Sequence, residues 1–460
     1  MRNAQWEWVA RRAAFSDDGA SLSGASAPRR GQKGWLPASV PETALALLVR
    51  NGVLPDPMSG GALATIPDVY HKSDFYTFWW CAQFETPSHC SSSSSRSRTC
   101  LGWLSPKTSR ADRTPQYQLL LGGANYSLEI WLNGERLVLE HDRGMFLRRF
   151  IPVTDLLRSP GETNALAIKV SPPDHVGCVD LGGQGGDHMI AKDVTSQFVE
   201  GWDWIQAVPD RNTGLWDAVS LLSTGSVCLR DPHVQVTFQD SGEDAMVSVD
   251  VTCVNLTASA ISVIVQASVM GLATAWSREV DLGPNQRLEG VSLGAQLVTS
   301  PKRWFPVGYG NQTMYEAEVC ALVRDAAEVT ISHQVSTKFG FRKLETLIDP
   351  RTQSRQFVVN DVPVFVRGGN YIVPDFLLRC DRERCWAEVR YHAEMGLNMM
   401  RLWGGAGVPL DDLYEACDHY GVMVWSEFWI TGQSFSSHSP SPPPPLLPFL
   451  SHLSMDWRSG

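Results

Sequence analysis

Three short strings in the last fifth of the sequence place polar and aromatic groups directly after apolar runs. They are Arg367-Gly-Gly-Asn370, Arg401-Leu-Trp403-Gly-Gly and Glu427-Phe-Trp429. A guanidinium, an indole, an amide and a carboxylate converging on one place can hydrogen-bond ring hydroxyls and stack on the apolar face of a sugar. A fourth string, Gly201-Trp202-Asp203-Trp204, sets a carboxylate between two indoles and suits the same chemistry. Each has a plainer reading. Strand-end polar groups also satisfy one another, and the 201–219 segment also reads as a loop buried against a neighbouring domain, with Arg211 paired to Asp210 or Asp217. On chemistry alone both readings of that segment stand. GGQGGDH (182–188) neither follows a strand nor opens a helix, so it is a closely packed loop rather than a dinucleotide or phosphate loop.

The elements that must carry these groups follow from periodicity. From about 35 to 223, short alternating runs are broken by Gly, Pro, Asn and Asp: YTFWWCAQFE, YQLLLGG, YSLEIWLNGERLVLE and NALAIKV. The Asn133-Gly134 pair between apolar alternations predicts a tight hairpin. Helical periodicity is scarce there, so the segment reads as a β-sandwich. Ser- and Arg-rich sequence at 88–110 interrupts it and reads as a surface insertion or as non-native translated sequence; a phosphorylated or RNA-binding tract is the functional reading. Residues 224–340 alternate again, at the size of an immunoglobulin-like sandwich. Then the texture changes. A strand in PVFVRGGNYI (363–372) precedes a helical pattern at 382–396, LNMMRLWGG, a second helical pattern at 410–421 and the strand VMVWSEFWI (422–430). Strand, helix, strand, helix, strand predicts parallel β/α units. In a β/α barrel the residues at strand C-terminal ends face the active site, which is where Asn370, Arg401, Trp403 and Glu427 fall.

Composition bounds the rest. The chain has 460 residues, 43% hydrophobic, enough for several domains. Its net charge of −10, with no long basic block, argues against nucleic acid as a partner. No run of 18 apolar residues exists to span a membrane. The 17 Trp hint at sugar stacking, and serve equally well as filler of sandwich cores. Ten scattered Cys without paired spacing exclude a zinc-site pattern and read as small reduced core residues. No metal or cofactor is expected. The first residues mix charge into every apolar run, unlike a secretory signal, which favours the cytosol. Sequons at Asn125, Asn255 and Asn311 matter only in a secreted chain.

The order sandwich, sandwich, β/α units, together with GWLPASVPETALALLVRNGVLPDP, DFYTFWW, RGMFLRRFIPVTDLL, the long string at 172–217, FGFRKLETLID, VFVRGGNYI, NMMRLWGGAG and YGVMVWSEFWITG, resembles glycoside hydrolase family 2. Within it, the chain is most similar to mannosylglycoprotein endo-β-mannosidases and exo-β-glucosaminidases. The resemblance implies a multidomain β plus α/β protein. Its parts are a jelly-roll, galactose-binding-like sandwich at 1–223, an immunoglobulin-like sandwich at 224–340, the start of a (β/α)8 barrel at 341–433 and a disordered Ser/Pro-rich tail at 434–460. It implies a retaining glycosidase acting on β-mannosides or related linkages, with a carbohydrate partner and no cofactor. Carried over residue by residue, Asp203, with Trp202 beside it, reaches into the sugar site; Arg401 and Trp403 line it; Glu427 contacts substrate rather than moving a proton; and Asn370 lies on the first strand. The family's acid/base and nucleophile are glutamates after the fourth strand and beyond, and no Glu follows Gly432. The expectation is therefore a catalytically incomplete fragment, with intron-derived sequence accounting for the tail and the 88–110 insertion. The alternatives are a non-catalytic carbohydrate-binding protein and a scaffold whose proline run recruits SH3- or WW-type domains.

Overall fold

The computed structural model describes residues 6–87, 115–176, 193–202, 205–239, 242–325, 328–406 and 410–428. The 88–110 insertion, the 182–188 loop and the 434–460 tail lie outside the described residues.

The first part packs two antiparallel sheets. One has six strands, in the order Leu36–Ala38, Glu7–Arg12, Phe78–Glu85, Thr163–Ser171, Ser127–Leu132 and Glu135–Arg136. The other has three: Val219–Thr224, Gln116–Leu121 and Arg149–Pro152. Strand alternation decides the packing. Phe78, Trp80, Ala82 and Phe84 face Leu119, Leu121 and Leu221 in the core between the sheets, while Trp79 and Cys81 point outward beneath Trp35 and Val9. Trp8, Trp35, Trp79 and Trp80 are all buried, so these indoles are core and not sugar platforms. The expected hairpin forms at Asn133-Gly134, whose φ values of 53° and 91° are the left-handed pair that such a turn requires. One helix, Ala44–Arg50, departs from the all-strand expectation. Its apolar run is buried throughout its first turns, and Thr43 caps it.

Residues 227–339 form a seven-stranded sandwich with sheets of three and four strands. Val247, Val249 and Val251 of one sheet meet Val263, Val265, Val319 and Ala321 of the other. Its strands Ala275–Leu282 and Arg287–Val298 escaped the sequence pattern, because most of their side chains face solvent.

The single strand expected over 363–372 is two. Val362–Val364 closes a three-stranded antiparallel sheet with Leu344–Ile348 and Arg355–Val359, and Gly368–Tyr371 opens a parallel one. The Asn398 side chain drives the break: it accepts the Arg367 N–H at 2.8 Å and donates to the Phe365 carbonyl at 3.0 Å. Gly368 then passes so close to Met399 that a Cβ would lie 1.9 Å from its carbonyl oxygen. Met399–Leu402 pairs in parallel with Gly368–Tyr371 on one side and Met423–Ser426 on the other. Helices Arg382–Glu394 and Asp411–Tyr420 make the two crossovers and cover one face through Val389, Leu413, Ala416, Met400 and Leu402. Asp381 caps the first by accepting the Arg384 amide at 2.9 Å, and Gly421, at φ 78°, ends the second. Six of the seven cysteines among the described residues are buried.

Candidate active site

The parallel register builds the site. Asn370 and Arg401 are partners on adjacent strands, so their side chains leave the same face, and Glu427 follows the end of the third strand. Glu427 is seated there by its own N–H, which donates to the Leu402 carbonyl at 3.2 Å. The Arg401 guanidinium spans all three strands. Its Nη2 and Nε lie 2.6 and 2.8 Å from Glu427 Oε1, and its Nη1 donates to Asn370 Oδ1 at 2.9 Å. Glu427 Oε2 accepts the Gly404 amide at 3.2 Å. The Arg401 and Glu427 side chains remain 33% and 27% exposed, so water or a ligand reaches both. A carboxylate already accepting from a guanidinium and an amide is fixed in orientation, which suits positioning hydroxyls.

The aromatic wall comes from two distant parts of the chain. Trp403 packs edge-on against Trp202, with centroids 5.4 Å apart and planes at 80°. Gly405 makes room for it: a Cβ there would fall 2.4 Å from the Trp403 ring. Trp202 donates its indole N–H to the Gln197 carbonyl at 3.3 Å. Phe198, Val199 and Val208 then bury themselves among Val373, Phe376, Leu378 and Trp403, fastening the segment from the first sandwich onto the loops that follow the parallel strands. Of the six residues expected from sequence, Asn370, Arg401 and Glu427 form one hydrogen-bonded cluster, and Trp403 with Trp202 forms the aromatic pair. Asp203 lies outside the described residues, as do Trp204 and Trp429.

The 205–219 segment is indeed a buried connection, but its ion pair differs from the expected one. Arg211, 2% exposed, pairs with Asp68 through Nη1–Oδ2 at 2.8 Å and Nη2–Oδ1 at 3.1 Å. Asp210 instead accepts the amides of Leu45 at 2.8 Å and Asn212 at 2.9 Å, so its carboxylate serves a helix terminus. Burial pushes Asp210 up to about 6 against the pull of those amides. Asn212 reaches on to the Phe376 carbonyl at 2.7 Å, joining this segment to the loop after the first parallel strand.

Sequence reading missed the layer behind the cluster. Tyr371 donates to Glu388 Oε2 at 2.9 Å, and Asp375 holds Arg379 at 2.6 Å and Arg384 at 3.3 Å. Burial, then the Glu388 charge, drive the Tyr371 phenol above its ordinary range. The Arg384–Glu388 spacing of four on a helix was the available signal. No group of three or more His, Cys, Asp or Glu among the described residues is arranged to hold a metal ion.

Residues 227–342 match the family model described as glycosyl hydrolases family 2. The mannosylglycoprotein endo-beta-mannosidase of Lilium longiflorum is 36% identical over 420 residues, covering 89% of this chain and 40% of the lily protein. An exo-beta-D-glucosaminidase of Streptomyces avermitilis is 28% identical over 87% of this chain and 38% of its own. The exo-chitosanase of Amycolatopsis orientalis shares the fold with a TM-score of 0.72 at 24% identity, over 92% of this chain and 43% of that one. The chain thus spans about 40% of the length of the relatives it matches.

Proposed function

We propose, from the premise that the chain belongs to glycoside hydrolase family 2, that it forms the sugar-orienting part of a retaining glycosidase acting on β-mannosides or related β-glycosides. The observation that carries this reading is Arg401 held between Asn370 and Glu427 across three neighbouring strand ends, with Trp403 next in sequence. A guanidinium locked on one side by a carboxylate keeps its remaining donors directed at sugar hydroxyls. The indoles beside it offer an apolar wall for the ring's C–H face. We assign 341–433 as the start of a (β/α)8 barrel, supported by the order strand, helix, strand, helix, strand and by a site at the strand C-terminal ends. The seven strands at 227–339 support an immunoglobulin-like sandwich for 224–340. The two-layer packing before it supports a galactose-binding-like jelly roll for 1–223.

Proton transfer and nucleophilic attack need two carboxylates flanking the scissile bond, ~5–5.5 Å apart in a retaining enzyme. Glu427 is committed to Arg401, and no Glu follows it in the sequence, so this chain is assigned neither role. Titration of the purified chain with a chromogenic β-mannoside tests the reading. Saturable tryptophan quenching without turnover is expected, lost in Trp403→Phe and weakened in Arg401→Ala and Asp203→Ala. Turnover at the 1–10³ per second order typical of enzymes overturns the missing-carboxylate assignment, and an absence of quenching overturns the sugar site.

A further inference from the structure

The chain has three sequons, Asn125-Tyr-Ser, Asn255-Leu-Thr and Asn311-Gln-Thr, and the fold treats them differently. Asn125 is fully buried, and its amide nitrogen donates to the Arg211 and Asn212 carbonyls at 2.7 and 3.3 Å. Asn255 is 1% exposed; its amide nitrogen donates to the Ser259 and Gly283 carbonyls, both at 2.7 Å, and its Oδ1 takes the Thr257 amide. A glycan on either nitrogen must break these bonds and push a large polar group into a closed interior. Asn311 is exposed, on a loop tied at its base by the Trp304–Gln312 bridge and by the Phe305 N–H donating to the Asn311 carbonyl at 3.0 Å. Only its backbone is engaged in these bonds, so its side chain can leave the surface without loss to the fold.

We propose that, when the chain is routed through a secretory compartment, Asn311 is its N-glycosylation site, the one acceptor of the three sequons that the folded chain tolerates. The co-substrate is an oligosaccharide carried on a polyprenyl pyrophosphate. The Asn311 amide nitrogen bonds to the anomeric carbon, the bond from that carbon to the pyrophosphate oxygen breaks, the lipid pyrophosphate leaves, and the amide gives up one proton. The glycan stands away from the sugar-orienting cluster. Val307 of the same loop donates its N–H to the Gly421 carbonyl at 2.8 Å, at the entrance of the third parallel strand, whereas Glu427 lies past its exit. The strand Met423–Ser426 rises ~3.3 Å per residue, so its two ends are about 10 Å apart.

The test is production of the full chain behind a secretory leader in a eukaryotic host, with electrophoretic mobility read before and after peptide N-glycosidase. One glycan is expected, absent from Asn311→Gln and from Thr313→Ala, and retained in Ser127→Ala, which removes a sequon without touching its asparagine. β-Mannoside titration of glycosylated and deglycosylated chain is expected to agree within twofold. A folded, secreted wild-type chain with no glycan overturns the proposal, and so does a glycan mapped by peptide mass to Asn125 or Asn255 in folded material. Neither outcome depends on whether the chain binds a sugar.

Discussion

The seven-stranded sandwich at 227–339 and the parallel sheet at 368–426 solve the problem of a buried sheet in opposite ways. In the sandwich, Val263, Val265, Ala267 and Val269 alternate inward at 3% exposure or less and meet a second sheet of the same chain segment. It completes its own core. The parallel sheet packs one face onto two helices, while its strand ends leave Asn370 exposed and Trp425 and Phe428 at 54% and 51%. It also leans on its neighbours. Lys338 of the sandwich pairs with Glu415, which shares Arg382 with Asp412, and the Trp304 indole donates to the Asp418 carbonyl at 2.7 Å. The unit that finishes itself carries none of the candidate site residues, whereas the open unit brings Asn370, Arg401 and Glu427 together.

The largest expected effect lies in the closed unit. Phe341 is fully buried, edge-on to Tyr315 at 4.9 Å, and Phe341→Ala should cost about 3–5 kcal/mol, read as a fall in the urea midpoint at unchanged slope. Trp425→Ala, at the open sheet, should cost less than about 0.5 kcal/mol. Equal losses would erase the contrast.

A smaller effect tests the seam between the two sheets of that sandwich. His333 Nδ1 accepts the Leu229 N–H at 3.0 Å, which requires a neutral ring. Burial first, and the nearby Arg230 charge after it, push His333 from 6.5 down to about 4. The folded value lies below the unfolded one. The stability tied to the neutral ring is therefore present above pH 6.5 and drains away as pH falls toward 4. The denaturation midpoint should drop across that window in the parent chain and stay flatter in His333→Gln. An unchanged slope in the variant assigns the acid sensitivity elsewhere.

Features that depend on neighbours in sequence were legible. The Asn133-Gly134 hairpin, the alternating strands and the polar residues at the ends of parallel strands all follow from local spacing. Partner choice across the chain was not. Nothing near Arg211 points to Asp68, 143 residues away, and nothing near Asp210 points to the Leu45 amide, 165 residues away. The tryptophan count pointed to sugar, yet Trp276 and Trp304 join the buried indoles of the first sandwich in core positions, because an indole serves either purpose and only burial distinguishes them. The sheet at 344–364 was missed because its outward Leu344, Leu347 and Val362 are exposed apolar residues that disguise the alternation.

The smallest stability effect is the most informative about the open unit. Strand-end polar groups either satisfy one another or wait for a ligand, and Glu427→Gln separates these readings. Because the Arg401–Glu427 pair is about one-third exposed, screening leaves it worth only ~0–1 kcal/mol to folding, so the melting transition should barely move. Binding is another matter. The glutamine keeps an acceptor for the Gly404 amide but loses the charge that pins the guanidinium, and a freed Arg401 must be ordered again by the sugar. β-Mannoside affinity should weaken about tenfold, equivalent to ~1.4 kcal/mol. A variant that melts much earlier yet binds unchanged would show that the pair exists to hold the strand ends together, and the open sheet would then resemble the closed sandwich in purpose as well as in material.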